Sequence, residues 1–497
     1  MAPLPTRVTA ALANASERRS IAFEYQQTPI YHKPVTVEAP LDEKGCLAID
    51  LPFTEAQMVL VKLDDEVKLF LEPGDQLHLD ADLLDLPQSL RFSGQGAANN
   101  QFLAALRARF PDYLRIDYED LAVDAHRQII DQRHLELESF LDEGCSQYQL
   151  TLGFIAYYRS AIIYEWAEEV FHYLIAYEMC NGRKRPVISE DYYDALNPVE
   201  LIDEAAIGII DYRRFLRNNF IRIMDEAEEQ AAREQLSEEQ RRAGIQPRTI
   251  AYLPDFIVQL DEEQRRGDFL QFHTIIYHLA KRLLHGKVLY FFLAGEIIDD
   301  FQDGRFDQGK QRWAEFRQDN PYPEYTEAVE EVVRETSKFK PGQPAPDFTL
   351  DDLQGQSVSL SDFRGQAVLL DFWSRGCLPC VEDFPYLEQI KQQTQDQKVV
   401  FLSISLDASA DRWQQAVNEH GLTGVHVRSP GGWQAAVAQL YQIRSIPTYL
   451  LVGPDGLLAG RVNSVWNVAD VVARIGEIAS GEVPSSKSNR SEMVISG

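Results

Sequence analysis

The chain has 497 residues, which at roughly 100–200 residues per domain suggests about three domains and excludes a small disulfide-stapled scaffold. Hydrophobic residues are 45% and charged residues 25%, a globular balance that excludes a largely disordered chain, and Gly 28 with Pro 24 excludes collagen-like composition. Lys+Arg 48 against Asp+Glu 77 gives −29, which repels phosphate backbones and argues against a nucleic-acid partner.

Most of that charge lies early: residues 341–483 hold 9 basic and 16 acidic side chains, so the first 340 residues carry most of the excess. Its simplest reading is a solvated surface. No run reaches 18 uninterrupted apolar residues, so no membrane span is expected; the best run, Lys287–Ile298, is short and broken by Glu296. Met1–Ser20 shows no charged-then-apolar leader pattern. The five cysteines are Cys46, Cys145, Cys180, Cys377 and Cys380, too few and too scattered for a disulfide framework. Only the last pair forms a motif. Cys46 reads as a small buried hydrophobe, and a Cys145–Cys180 bond is left open.

Residues 1–96 read as a β-rich domain. Ser20–Tyr25, Cys46–Leu51, Gln57–Leu63, Glu66–Leu71 and Gln76–Asp80 are short β-rich runs, most about ten residues apart with turn signals between them. Pro73-Gly74-Asp75 is one such turn. This spacing predicts a small β-sandwich or open barrel. Arg91–Gly96 superficially resembles a phosphate loop but lacks the following Lys-Ser/Thr, so it reads as a turn into a helix.

Residues 97–337 read as a helical domain, because apolar residues recur there at three and four. Phe154–Met179 is a long helix with seven aromatic residues beyond its first, a stripe more often core than ligand surface. Asp225–Arg242 reads as a charged, solvated helix, punctuated downstream by Pro247 and Pro254. His273 and His278 are five apart, His172 stands alone, and no HExxH occurs, so no metal site is expected.

Lys338–Pro346, with three prolines and a glycine, is an extended entry into a third domain, 338–483. Ala367–Trp373 and Lys398–Leu406 have buried-strand length; Val381–Gln395, Asp411–His420 and Gly432–Tyr441 read as helices. Thr448–Val452 and Leu457–Val462 form a hairpin, and Val468–Ile478 closes the domain as a helix. This is an α/β sandwich. The polar tail 484–497 is expected to be disordered. The fold class is therefore multidomain α+β: a β-sandwich, an α-helical middle, and an α/β sandwich.

Cys377-Leu378-Pro379-Cys380 follows a buried strand and precedes a helix. Redox chemistry needs that placement, since helix N-terminal amides stabilise a thiolate, and the spacing lets the second sulfur reach the first. Pro379 suits a first turn, where a missing N–H costs nothing. Structural zinc needs two more ligands, and His420 and His426, the only histidines of the domain, are wrongly spaced. Asp371 interrupts Ala-Val-Leu-Leu-Asp-Phe-Trp. Buried, it would have a raised pKa and serve as a proton acceptor; the alternative is an edge-facing Asp paired to a cation. Asp383, one turn after Cys380, either tunes that thiol or is a solvated first-turn residue.

These residues carry a family resemblance. Gly342–Glu482 resembles the thioredoxin-fold domain of TlpA/ResA-like thiol-disulfide oxidoreductases, in the Gly-Gln-Pro-Ala-Pro-Asp-Phe entry, Val358–Gly365, Leu370–Trp373, Cys-x-Pro-Cys, and Ser445-Ile446-Pro447-Thr448. The strand-rich start resembles, more weakly, N-terminal domains of bacterial envelope thioredoxin-like proteins. The resemblance implies a protein-disulfide reductase whose catalytic residues are Cys377, Cys380, Asp371 and Asp383. It implies that Trp373, Gly376, Ile446 and Pro447 contact substrate, with Ile446–Pro447 a cis bond. It implies a disulfide-containing protein substrate, an external thiol electron donor, no cofactor beyond the Cys377–Cys380 dithiol, and no metal. It implies a periplasmic or cell-envelope location, in chemistry like cytochrome c biogenesis. Two departures stand out: Gly376 replaces the usual Trp before the first Cys, and Asp383 stands where Glu is common. Peroxiredoxins share the Pro-x-Asp-Phe entry, but their upstream Pro and Thr are absent. The alternative is an envelope binding or scaffold protein with an accessory thioredoxin-like domain.

Overall fold

The computed structural model describes residues 5–220 and 269–480, apart from 16–17, 27–29, 31–34, 53–54, 64–65, 112–115, 182–185, 187, 190–191, 198, 210 and 463. The expected Asp225–Arg242 helix, Pro247, Pro254 and the expected tail lie outside the described residues. The chain divides into two compact units. Among the described residues, one takes those of 5–220, 275–296 and 316–328; the other takes those of 269–274, 297–315 and 329–480.

The first unit begins with two four-stranded sheets. One has the order β4(Cys46–Leu51)–β1(Thr6–Ala13)–β7(Gln76–Asp82)–β8(Arg91–Gly94). The other has the order β3(Val35–Pro40)–β2(Ser20–Tyr25)–β5(Gln57–Lys62)–β6(Glu66–Leu71). Period-two alternation drives this arrangement: in β2 every second residue is buried, and Val8, Ile21, Phe23, Val59, Leu69 and Leu77 meet in one core. Arg91–Gly96 is not only a turn. Its first four residues pair with β7 as β8, and a Cβ on Gly94 would lie 2.2 Å from the Gln76 carbonyl oxygen. Gly96, at φ 89°, leads into helix α1 (Ala97–Arg109) above the buried Asp75 carboxylate. These glycines serve close packing of backbone.

Helices α2 (Val123–Gln147) and α3 (Leu152–Cys180) follow as a hairpin. Thr151 caps α3 by accepting the Phe154 N–H at 3.1 Å. The aromatic stripe of α3 is largely core: Phe154, Tyr164, Phe171 and Tyr173 are buried, and Phe154 packs edge-on against Phe70 and Phe102. Cys145 and Cys180 are free and exposed. Cys145 lies beside the connection and Cys180 at the far end of a helix about 40 Å long at 1.5 Å per residue, far beyond disulfide reach. Cys46 is half-buried rather than core. Helices α4 (Phe269–Leu283), α5 (Gly286–Gln302), α6 (Phe306–Asp319) and α7 (Pro323–Thr336) complete the helical stretch. No group of three or more metal-ligating side chains occurs among the described residues, and no described helix is long and apolar enough to cross a membrane.

The second unit contains a seven-stranded sheet. Its order is β10(Ser357–Ser359)–β9(Thr349–Asp352)–β13(Val425–Arg428)–β12(Val399–Ser405)–β11(Ala367–Trp373)–β14(Thr448–Val452)–β15(Leu458–Val462). β11, β12 and β13 are parallel, and β14 runs antiparallel to β11. Helices α8 (Leu378–Gln393), α9 (Ala410–Glu419) and α11 (Val468–Ala479) share a core with one face; the five-residue α10 (Ala436–Leu440) and Tyr441 pack on the other. With both faces covered, every residue of β11 is buried. The expected helix Gly432–Tyr441 is instead a 3-10 turn followed by α10, because Ala435 between them takes an extended ψ of 136°.

Candidate functional site

β11 delivers the chain to the site at the C-terminal edge of the sheet. The Leu406 N–H donates to the Trp373 carbonyl at 2.9 Å, and the Arg375 N–H donates to the Asp407 carboxylate at 3.0 Å, which pins the loop. Cys377 then caps α8: its sulfur accepts the Cys380 N–H at 3.2 Å. Pro379 sits in the first turn, where no intrahelical donor is lost. Cys377 and Cys380 are joined in a disulfide. The two sulfurs differ in environment. Cys377 is half-exposed, whereas Cys380 is 1% exposed.

Asp371 points into the layer that holds Cys380, since its alternate neighbours Leu369 and Trp373 belong to the same core cluster. It is 4% exposed, and burial pushes its carboxyl up to about 7. A Ser403 hydrogen bond and the Lys391 charge oppose that rise, and the nearby Asp383 charge adds to it. The edge-facing alternative therefore fails. Register explains the neighbours. Asp371 stands opposite Ser403 on β12 and Tyr449 on β14, and Ser403 stands opposite His426 on β13, so all four share one face. Burial holds His426 down at about 4, so its imidazole stays neutral.

Asp383 is not the solvated first-turn residue that one expectation described. It is buried, not solvated, and its two oxygens accept from the Tyr449 hydroxyl at 2.7 Å and from the Trp466 indole N–H. Those donors anchor α8 to β14 and to the turn after β15. The Asp383 charge adds to the rise at Asp371. Trp373 also departs from expectation. It is 0% exposed and packs edge-on against Phe384, so it forms the floor beneath the motif and not a substrate contact. Gly376 is exposed, and a Cβ there meets nothing within 4 Å. The Ile446–Pro447 peptide is cis, and both residues are half-buried just before Thr448, the residue opposite Phe372.

Ser403, Tyr449, Trp466 and His426 are the neighbours that sequence reading missed. Ser403 gave a signal, a hydroxyl inside the apolar run Val-Val-Phe-Leu-Ser-Ile-Ser. Trp466 gave none, because its role depends on a contact 83 residues back along the chain.

Residues 341–461 match the AhpC/TSA family. ResA, a thiol-disulfide oxidoreductase of Bacillus thuringiensis, is 28% identical over 119 residues, covering 24% of this chain and 67% of the relative. ResA of Bacillus subtilis is 29% identical over 141 residues, covering 28% and 77%. Among solved structures, the thioredoxin domain of a thiol-disulfide oxidoreductase from Bacteroides vulgatus is 30% identical, covers 27% of this chain and 97% of its own, and has a TM-score of 0.26. The C-terminal part of the chain is thus a thioredoxin-fold domain of the AhpC/TSA family, and these similarities cover that part alone.

Proposed function

We propose that this chain is a thiol-disulfide oxidoreductase that reduces protein disulfides through Cys377 and Cys380. In the reduced protein, the more accessible Cys377 is held as a thiolate by the helix N-terminal amides. It attacks one sulfur of a substrate disulfide; a Cys377–substrate bond forms, and the substrate's other sulfur leaves and takes a proton. Asp371 accepts the Cys380 proton, directly or through one water. The Cys380 thiolate then attacks Cys377 Sγ, the mixed disulfide breaks, and the second substrate thiol leaves. Two electrons pass to the substrate, and the Cys377–Cys380 disulfide remains. An external dithiol reduces it again. The chemistry asks for no metal and no organic cofactor. Ile446 offers its backbone to the substrate chain beside Pro447. The family resemblance supports a periplasmic or cell-envelope setting for the reaction, and in this reading residues 1–96 and 97–337 select the substrate.

The observation that carries this reading is the asymmetric pair: a half-exposed sulfur capping a helix, and a buried sulfur packed in the same layer as a carboxyl raised to about 7. The test uses purified full-length protein and a disulfide-bonded protein substrate. Cys377→Ser abolishes reduction, and Cys380→Ser accumulates the mixed disulfide on Cys377. Full turnover by Cys377→Ser would refute the mechanism.

A further inference from the structure

We propose that the pocket around Arg461, on the opposite face of the sheet from Cys380, binds a small carboxylate with an apolar or aromatic body. The site is separate from the disulfide, and the inference does not depend on the reductase reading.

Strand register puts Arg461 in the pocket. β15 is an edge strand, and Arg461 stands opposite Leu450 on β14. Leu450 shares a core with Tyr441 and Phe372, whereas Tyr449 and Cys380 belong to the core of the other face. Period-two alternation therefore turns Arg461 toward the α10 side, away from Cys380. There its side chain crosses Gly304, where a Cβ would lie 3.2 Å from Arg461 Cδ. Phe301, Phe306, Phe339 and Tyr441 line the same narrow pocket, which holds about 440 Å³ including its open mouth. All of these residues belong to the second unit.

The polar groups of the pocket define what is missing from it. The Arg461 side chain makes no hydrogen bond or ion pair with any described residue. Burial pushes its guanidinium down from the ordinary value; the Asp303 charge opposes that fall, and the Arg305 and Arg444 charges add to it. Asp303 is itself held by Arg305 at 2.8 Å, and Asp300 is shared by Arg305 and Arg312. Nor does Arg461 cap α5, because the Asp303, Gly304 and Arg305 N–H groups already take the carbonyls of Asp299, Phe301 and Asp300. Gln302, on the pocket wall, has its amide Nε2 buried with no hydrogen-bond partner among the described residues. Lys338 and Lys340 lie over the rings of Phe339 and Phe306 at 5.3 and 6.0 Å, and neither pairs with a carboxylate among the described residues. Asp347 acts on Tyr441, where Arg364 opposes it.

Buried donors without acceptors are costly, so a guanidinium and an amide N–H in one pocket call for an anionic acceptor. A planar carboxylate matches the guanidinium fork, and one amide donor completes its set. A phosphate dianion asks for more donors than these two side chains offer. Four aromatic rings around the donors suit an apolar body attached to the charged group.

The test uses the full chain as oxidised protein and reads binding by isothermal titration calorimetry. Benzoate, phenylacetate and cyclohexanecarboxylate are each compared with the primary amide of the same skeleton, and inorganic phosphate is run alongside. At least one of the three acids binds with a Kd below about 1 mM and about tenfold or more tighter than its amide. Phosphate binds at least about tenfold more weakly than that acid. Arg461→Gln brings acid and amide within about threefold of each other, and Arg461→Lys, which keeps the charge without the fork, falls between. Phe306→Ala weakens acid and amide alike. The acid-to-amide ratio is read on the unaltered chain, so a variant that fails to fold does not leave the proposal untested. The proposal is overturned by any one of four results: no acid binding below about 1 mM, equal affinity for each acid and its amide, phosphate binding as tightly as the acids, or an unchanged ratio in folded Arg461→Gln.

Discussion

Replacing Asp371 by Asn separates the energetic cost of the buried carboxyl from its chemical use. The ordinary aspartate value is 3.8 and the folded value about 7, and Asp371 is 4% exposed, so solvent screens it little. A raised pKa means that the folded state holds the proton more tightly than the unfolded chain does. Stability is therefore greatest below the unfolded value, falls as pH rises from about 4 to about 7, and is flat above. At 1.36 kcal/mol per tenfold change in proton affinity, the ionised carboxylate costs on the order of 4 kcal/mol above pH 7. Asn keeps the shape and a hydrogen-bond partner for Ser403 without the charge. Urea unfolding of reduced wild type and Asp371→Asn, run from about pH 5 to about pH 8.5, gives the difference directly. The variant's advantage grows from about 1.5 kcal/mol at the acid end to about 4 kcal/mol at the alkaline end. Over the same range its resolving step slows by about tenfold to a hundredfold, since the proton acceptor is gone. A difference independent of pH, or a variant less stable at pH 8.5, would refute the assignment of Asp371 as a desolvated carboxyl.

Further substitutions probe the site and the N-terminal sheets. His426 is held at about 4 against an ordinary 6.5, so it contributes stability that is complete above pH 6.5 and lost as pH falls toward 4; His426→Gln removes that acid sensitivity, on the order of 3 kcal/mol, in unfolding curves at about pH 4.5 and 7. Trp466→Phe leaves one oxygen of the buried Asp383 without its indole donor and costs about 1–3 kcal/mol; in a double-mutant cycle it couples to Tyr449→Phe, and strict additivity would separate the two contacts. Gly96→Ala places a Cβ 2.6 Å from Asp75 Oδ2 at φ 89° and destabilises by at least about 1 kcal/mol, whereas Gly376→Trp enters open space and shifts the unfolding midpoint little.

Much of the fold was legible because it rests on local pattern. Cys46–Leu51, Glu66–Leu71, Ala367–Trp373 and Thr448–Val452 have the bounds their apolar spacing suggests. Thr6–Ala13 and Val35–Pro40 were missed: the first is alanine-rich and the second little buried, so neither carries a strong strand signature. Val425–Arg428 is four residues with a histidine inside, too short to show a period. The same division holds at the site. The cysteine pair and Asp371 announce themselves in adjacent residues. The partners of Asp371 and Asp383 do not, because strand register sets one group and the packing of α8 sets the other. Trp373 shows the converse error: a motif residue read as surface is, by strand alternation and packing against Phe384, part of the core.

Cys377 is the activated sulfur of the proposed mechanism, and the alkylation rate of the reduced protein against pH tests this most directly. Each cysteine is followed by mass spectrometry. The expected result is that Cys377 is modified first, with a rate already on its plateau below about pH 7, while Cys380 lags at every pH. Modification of Cys377 only as pH passes about 8.5, the ordinary thiol value, or modification of Cys380 first, would contradict it.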